Sequence, residues 1–178
     1  MDPTIAEGTT DAAVDAVTSA VTNTVPTAAD LAAAAALNAN SALDHWLSQL
    51  AYPSFITLLA LAVYLLVTLN VGRARGRFNV PAPQTTGNAD FERFFRVQQN
   101  TLEQLVFFLP ALWLASFYGS AKLAAMLGML WVGGRLVYAN GYYRSPTVQK
   151  RIPGFLVAVV ASALLWLMAM IGVARILL

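Results

Sequence analysis

Long gaps in charge constrain this chain more than any other feature. No Asp, Glu, Lys or Arg occurs between Asp44 and Arg73, none in residues 104–121, and none in the 23 residues 152–174. An α-helix rises 1.5 Å per residue, so about 20 apolar residues cross the hydrocarbon core of a bilayer. Such runs dominate the chain: 58% of the 178 residues are hydrophobic and 11% charged, against roughly 25% charged in soluble domains. A soluble globular domain is excluded, and a small polytopic membrane protein is expected. The length fits one domain, and four helices of about 20 residues would use less than half of it.

The charges that remain are unevenly placed. Residues 1–45 carry Asp2, Glu7, Asp11, Asp15, Asp30 and Asp44 and no Lys or Arg, whereas the remainder holds all 11 basic residues against Asp90, Glu92 and Glu103. Residues 1–45 lack the basic start and apolar core of a signal peptide. They read as an acidic, Ala/Thr-rich, mostly disordered tail, in which residues 28–42 are Ala-rich enough to form some helix. His45 at its end is read as interfacial. Residues 46–178 read as the membrane domain. With no Cys there is no disulfide, thiolate nucleophile or Cys-ligated metal, and a single His excludes a multi-His metal site. Any sulfur chemistry must come from a ligand.

Four spans are predicted, at about 53–72, 92–118, 122–143 and 152–175. Trp46 and Tyr52 precede the first, where headgroup-level aromatic anchors are expected. Arg73, Arg75 and Arg77 follow it, and Pro81, Pro83 and Gly87 punctuate the next loop. Pro110 is expected to kink the second helix. A tight turn carries Gly119, Ser120 and Lys122. The fold class is therefore all-α: an integral membrane four-helix up-down bundle, since short connections favour antiparallel neighbours. Both basic loops fall on one side of the membrane, which the positive-inside rule makes cytoplasmic, with both termini outside. The overall character suggests a bacterial inner membrane.

Ionisable residues inside or at the edge of a span are costly and mark functional sites. Arg96, Asn100 and Glu103 share one stripe of the second helix at i, i+4 and i+7, and Arg135, Tyr138 and Tyr142 share one of the third at i, i+3 and i+7. These side chains could simply fasten the bundle, Arg93 or Arg96 pairing with Glu92 or Glu103 and the tyrosines sitting in the interfacial belt. Two seams at one basic face, beside Arg75 and Arg151, favour a binding site instead. Arginines outnumber carboxylates there, so an anionic partner is implied; a guanidinium fork suits a carboxylate or phosphate, and Glu103 could receive a ligand's ammonium group.

The segment FERFFRVQQNTLEQ, the preceding P-x-P-x-T-T-G (Pro81 to Gly87) and the later R-L-x-Y-x-x-G-Y (Arg135 to Tyr142) resemble the superfamily of membrane-associated proteins in eicosanoid and glutathione metabolism, in its leukotriene C4 synthase and microsomal glutathione transferase branch. The similarity covers about residues 55–178. It implies a four-helix protomer, a homotrimer, and glutathione bound as co-substrate, without metal, between neighbouring subunits near the membrane surface. Matched residue by residue, Arg96, Asn100, Glu103, Tyr138 and Tyr142 fall on glutathione-contacting positions, and Arg75 and Gln98 on positions contributed by the adjacent subunit.

The resemblance also implies a catalytic arginine before the fourth helix, here Arg151 in the run Lys150, Arg151, Ile152, Pro153, Gly154, Phe155. The match needs about two extra residues after Tyr142, which keeps Arg144 and Lys150 as alternatives. A thiol reacts as thiolate from an ordinary pKa of about 8.5, and a nearby permanent cation favours its ionisation. Three positions depart from the branch pattern: Gln104 replaces an aromatic residue, Gly76 a second arginine, and Val106 a proline. These weaken leukotriene synthesis as an assignment more than glutathione binding. The expected activity is glutathione transfer to lipophilic electrophiles from the bilayer, with glutathione-dependent peroxidase activity alongside, and no nucleic-acid partner. The rival is a non-enzymatic lipid-binding scaffold like the lipoxygenase-activating branch. A transporter fits less well, because four short spans hold no inverted repeat.

Overall fold

The computed structural model describes residues 14–15, 26–145 and 147–178. Four helices dominate them: α1 (Ala28–Phe78), α2 (Ala89–Ala115), α3 (Ala121–Arg144) and α4 (Ile152–Leu177). The reading of residues 1–13 and 16–25 as an unstructured tail lies outside the described residues. The chain divides at Trp46, and the bundle belongs to the unit Leu47–Leu178.

The first helix starts at Ala28 and takes in both the Ala-rich stretch 28–42 and the predicted span at about 53–72. Alanine has the best intrinsic helix propensity, and the start is capped reciprocally: the Asp30 amide donates to Thr27 Oγ1, and the Thr27 amide and hydroxyl donate to Asp30 Oδ2 at 2.9 and 2.7 Å. Those two bonds hold the Asp30 carboxyl below its ordinary pKa. At its other end α1 gives way to Asn79, in the left-handed conformation at φ 55°. Asn88 then caps α2 by accepting from the amides of Asp90 and Phe91, and Asp90 and Glu92 complement the dipole of the first turn.

Helix α2 accommodates Pro110 within its length. A departure from helical geometry falls at Gly119 (φ −130°, ψ −111°), inside a π-helical turn Ser116–Ser120 that leads into α3. Ala28–Phe78, Ala89–Arg144 taken across this break, and Ile152–Leu177 are long and apolar enough to cross a membrane.

Side-chain pairs show each helix running antiparallel to the next. Thr57 of α1 accepts from Trp113 of α2 while Tyr64 accepts from Gln98; Phe108 of α2 stacks on Trp131 of α3 while Phe94 stacks on Tyr143. The α3–α4 pair is held closest by glycines. A Cβ on Gly134 would come within 2.9 Å of the Ala158 amide nitrogen and the Gly154 carbonyl oxygen, and one on Gly154 would strike the Tyr138 backbone.

Small residues fill the interior and large ones face outward. Ala60, Ala111, Ala115, Ala124, Ala158, Ala161 and Ala169 are buried, whereas Leu58, Leu65, Phe107 and Leu167 are more than half exposed. A water-soluble bundle shows the reverse. Outward leucine and inward alanine suit a bundle in lipid, where helices gain by close van der Waals approach and not by hiding apolar surface. Some large side chains are buried as well, Ile56, Leu112 and Leu165 among them; the Phe108 and Trp131 rings lie 4.1 Å apart and 7° from parallel, fully buried, a pair worth about 0.5–1.5 kcal/mol beyond its area.

Candidate functional site

Antiparallel packing brings the C-terminal ends of α1 and α3 together with the N-terminal ends of α2 and α4, so Arg75, Arg96, Arg144 and Arg151 gather at one end of the bundle. Lys122, whose ammonium lies 6.0 Å from the Tyr52 ring, marks the other end.

A cleft of about 320 Å³ opens at the basic end, lined by Arg96, Tyr138, Tyr142, Arg151, Ile152 and Phe155. Its shape follows from the tight α3–α4 approach at Gly134, Gly141 and Gly154, which sets Tyr138 and Tyr142 against the start of α4. The guanidinium of Arg151 lies 4.4 Å from the Tyr142 ring centre. The two tyrosine rings meet edge to face at 5.5 Å, and Phe155 contacts Tyr138 at 6.2 Å. The lining thus combines two guanidinium groups and two phenols with apolar surface from Ile152 and Phe155. Of the three cations left open for the catalytic role, Arg151 lines this cleft, while Arg144 and Lys150 are exposed and do not.

A second, larger hollow of about 420 Å³ adjoins it, sharing Arg96 and Tyr142 and bounded by Thr85, Thr86, Glu92, Arg93 and Gln99. Arg93 forms an ion pair with Asp90, and Glu92 accepts from the Gly87 amide at 3.1 Å. The pairing of Arg93 or Arg96 with Glu92 or Glu103, weighed as a way of fastening the bundle, does not occur among the described residues. Arg96 and Glu103 are both exposed, with no ion-pair partner among them.

The other predicted site residues lie outside the cleft within one chain. Arg75 donates to the Gln84 carbonyl at 2.7 Å and sits 5.0 Å from the Phe91 ring, so it braces the α1–α2 loop. Gln98 donates to the Tyr64 hydroxyl at 3.1 Å. Asn100 lies one turn from Arg96 and accepts from Arg135 at 3.0 Å.

Two participants escaped sequence reasoning. Tyr64 partners Gln98 across helices but is a neutral residue within an apolar run, which carries no charge signal. Thr101 accepts from Arg135 at 2.5 Å and is buried; its position beside Asn100 was the available cue.

Arrangement and composition together define an all-helical membrane protein with a basic polar cleft at one end. The chain belongs to the MAPEG family, whose model matches residues 53–171. It is 48% identical over 126 residues to the uncharacterized protein sll1147 of Synechocystis sp., covering 71% of this chain and 90% of that one. It is 40% identical over 107 residues to human microsomal glutathione S-transferase 2, covering 60% of this chain and 71% of the relative. To bovine leukotriene C4 synthase it is 35% identical over 124 residues, covering 70% and 81%.

Proposed function

We propose that this protein is a membrane glutathione S-transferase that holds glutathione as thiolate and adds it to lipophilic electrophiles arriving through the bilayer. The observation that carries this reading is the convergence of Arg96, Tyr138, Tyr142 and Arg151 on one cleft at the basic end, together with the similarity to glutathione S-transferase 2 over the region containing them.

Glutathione is a tripeptide with two carboxylates, one ammonium, two amides and a thiol, and the residues supply a counterpart for each. Arg75 and Arg96 take the carboxylates as charge-assisted bonds, Glu103 the ammonium, and Asn100 with the tyrosines the amides. Arg151 faces the sulfur. Its permanent charge favours loss of the thiol proton to water, and the thiolate forms a C–S bond to the electrophilic carbon while the leaving group departs with its electron pair. With a lipid hydroperoxide the same thiolate attacks the terminal oxygen, breaking the O–O bond and expelling the lipid alkoxide, which takes up a proton; the sulfenic acid formed then condenses with a second glutathione to the disulfide and water, giving peroxidase activity.

Glu103 and Arg96 on α2, exposed and without an ion-pair partner among the described residues, are covered in this reading by neighbouring copies in a homotrimer, with Arg75 and Gln98 serving the adjacent subunit's site. The basic end faces the cytoplasm, where glutathione is abundant, as in a bacterial inner membrane. Residues 1–45 carry six acidic residues and no Lys or Arg.

The test is direct. Protein purified in detergent is titrated calorimetrically with glutathione and assayed for conjugation to chlorodinitrobenzene. Saturable binding with turnover supports the reading. Absence of binding overturns it, and binding without turnover would favour the lipid-binding scaffold.

A further inference from the structure

Arg135 is the most anomalous side chain in the bundle. It sits in the middle of α3, 1% exposed, and no carboxylate pairs with it among the described residues. Its Nη1 donates to Asn100 Oδ1 at 3.0 Å and its Nη2 to Thr101 Oγ1 at 2.5 Å, both on α2. Its guanidinium carbon lies 4.3 Å from the Tyr138 ring centre, and Nε has no partner among the described residues. A buried charge without a counter-ion is an expensive tie between two helices, and a neutral amide or hydroxyl could join them instead.

A guanidinium differs from those in being unable to accept a hydrogen bond at all. This gives its contacts a fixed direction. The Thr101 hydroxyl donates onward to the Val97 carbonyl at 2.6 Å, so its oxygen is left to accept from Arg135. Asn100 has two nearly isosteric orientations, and only the one with its carbonyl oxygen toward Arg135 is compatible with that neighbour. Its NH2 is then the group left for a ligand, and it has no partner among the described residues.

We propose that Arg135 is a positioning residue that locks the Asn100 amide with its NH2 presented to the ligand, so that Asn100 offers donors only and selects a peptide carbonyl oxygen of glutathione. The inference rests on the glutathione reading above and assigns the chemistry of one contact within it. Freed of Arg135, Asn100 would flip, and half its orientations would set an acceptor against the carbonyl.

Asn100→Asp separates this role from a merely structural one. The carboxylate keeps and strengthens the clasp with Arg135 but has no N–H to offer. The expected result is a thermal midpoint without ligand equal to or above that of the wild type, with a glutathione Kd about tenfold weaker or more, as for loss of one hydrogen bond from a desolvated group. A structural tie alone predicts undiminished binding. Arg135→Lys, still a pure donor, is expected to bind within about threefold of wild type, whereas Arg135→Gln, which can accept as well as donate, is expected to bind about five- to tenfold more weakly. Asn100→Asp decides the matter if the Arg135 variants do not fold. Wild-type binding with equal binding by Asn100→Asp overturns this inference alone; a wild type that binds no glutathione overturns the functional reading and this inference together.

Discussion

Arg151 lies over the ring of Tyr142, its guanidinium carbon 4.4 Å from the ring centre, so the last cation before α4 is held by an aromatic face near the end of α3. Such a contact fixes where a charge sits without neutralising it, unlike an ion pair, and a cation left unneutralised retains its field for a ligand.

Arg151→Ala is expected to lower conjugation at pH 7 by about ten- to a hundredfold while weakening glutathione binding far less. An opposite charge within a few ångströms lowers an acid's pKa by about 1–3 units, so the thiolate exists in the wild type at pH values where a free thiol is protonated. Loss of the cation returns the thiol toward about 8.5. The variant's rate is therefore expected to climb with pH through that value, while the wild-type rate is already near its plateau at neutrality. A pH–rate profile for both proteins checks this, and an unchanged profile would remove Arg151 from its role.

Tyr142 contributes a ring and a hydroxyl, and two substitutions separate them. Tyr142→Phe keeps the surface under Arg151 and is expected to raise KM for glutathione with kcat within about threefold. Tyr142→Leu removes a cation–π contact worth about 0.5–2 kcal/mol and is expected to lower kcat as well. Steady-state kinetics over a range of glutathione concentrations distinguish the two.

Glu103→Gln is expected to raise the glutathione Kd about tenfold, since a charge-assisted bond to an ammonium becomes a neutral one. A glutathione analogue lacking the amino group provides the control. It is expected to bind wild type and variant alike, and a difference between them would place the Glu103 effect elsewhere.

Gly154→Ala tests the contact that shapes the cleft. The added methyl meets the Tyr138 backbone, and overpacking of this kind costs about 1–3 kcal/mol. A lower thermal midpoint in detergent and loss of turnover are expected together. By contrast Gly133→Ala, where a Cβ meets nothing within 4 Å, is expected to leave the midpoint unchanged or slightly raised, as alanine is the better helix former.

Much of this architecture is legible in the residue order because membrane spans impose a crude code. Helix α4, predicted at 152–175, runs Ile152–Leu177, and α3, predicted at 122–143, runs Ala121–Arg144; a charge-free run leaves little choice. The helix expected from alanine propensity in residues 28–42 is present, but hydropathy, which located the span at 53–72, does not show that the two stretches form one continuous helix. A break falls at Gly119, within a turn that the Gly–Ser pair already signalled. At the site, helical spacing put Arg135 on the same stripe as Tyr138 and Tyr142, but its bonds to Asn100 and Thr101 depend on the register between α2 and α3, which no single-helix periodicity carries. Arg75 presented as a binding arginine, and only the folded loop showed it also bracing the Gln84 carbonyl.

The alanine interior carries a thermodynamic consequence. Soluble bundles draw cohesion from releasing water, so their unfolding shows a large positive heat-capacity change and their stability fades in the cold. Here much of the packed surface is alanine methyl groups and glycine backbone, and its alternative environment is acyl chain, not water. Separation of these helices within lipid is expected to carry almost no heat-capacity signature. Cohesion of the bundle would then hold on cooling, limited at low temperature by the fluidity of the surrounding lipid.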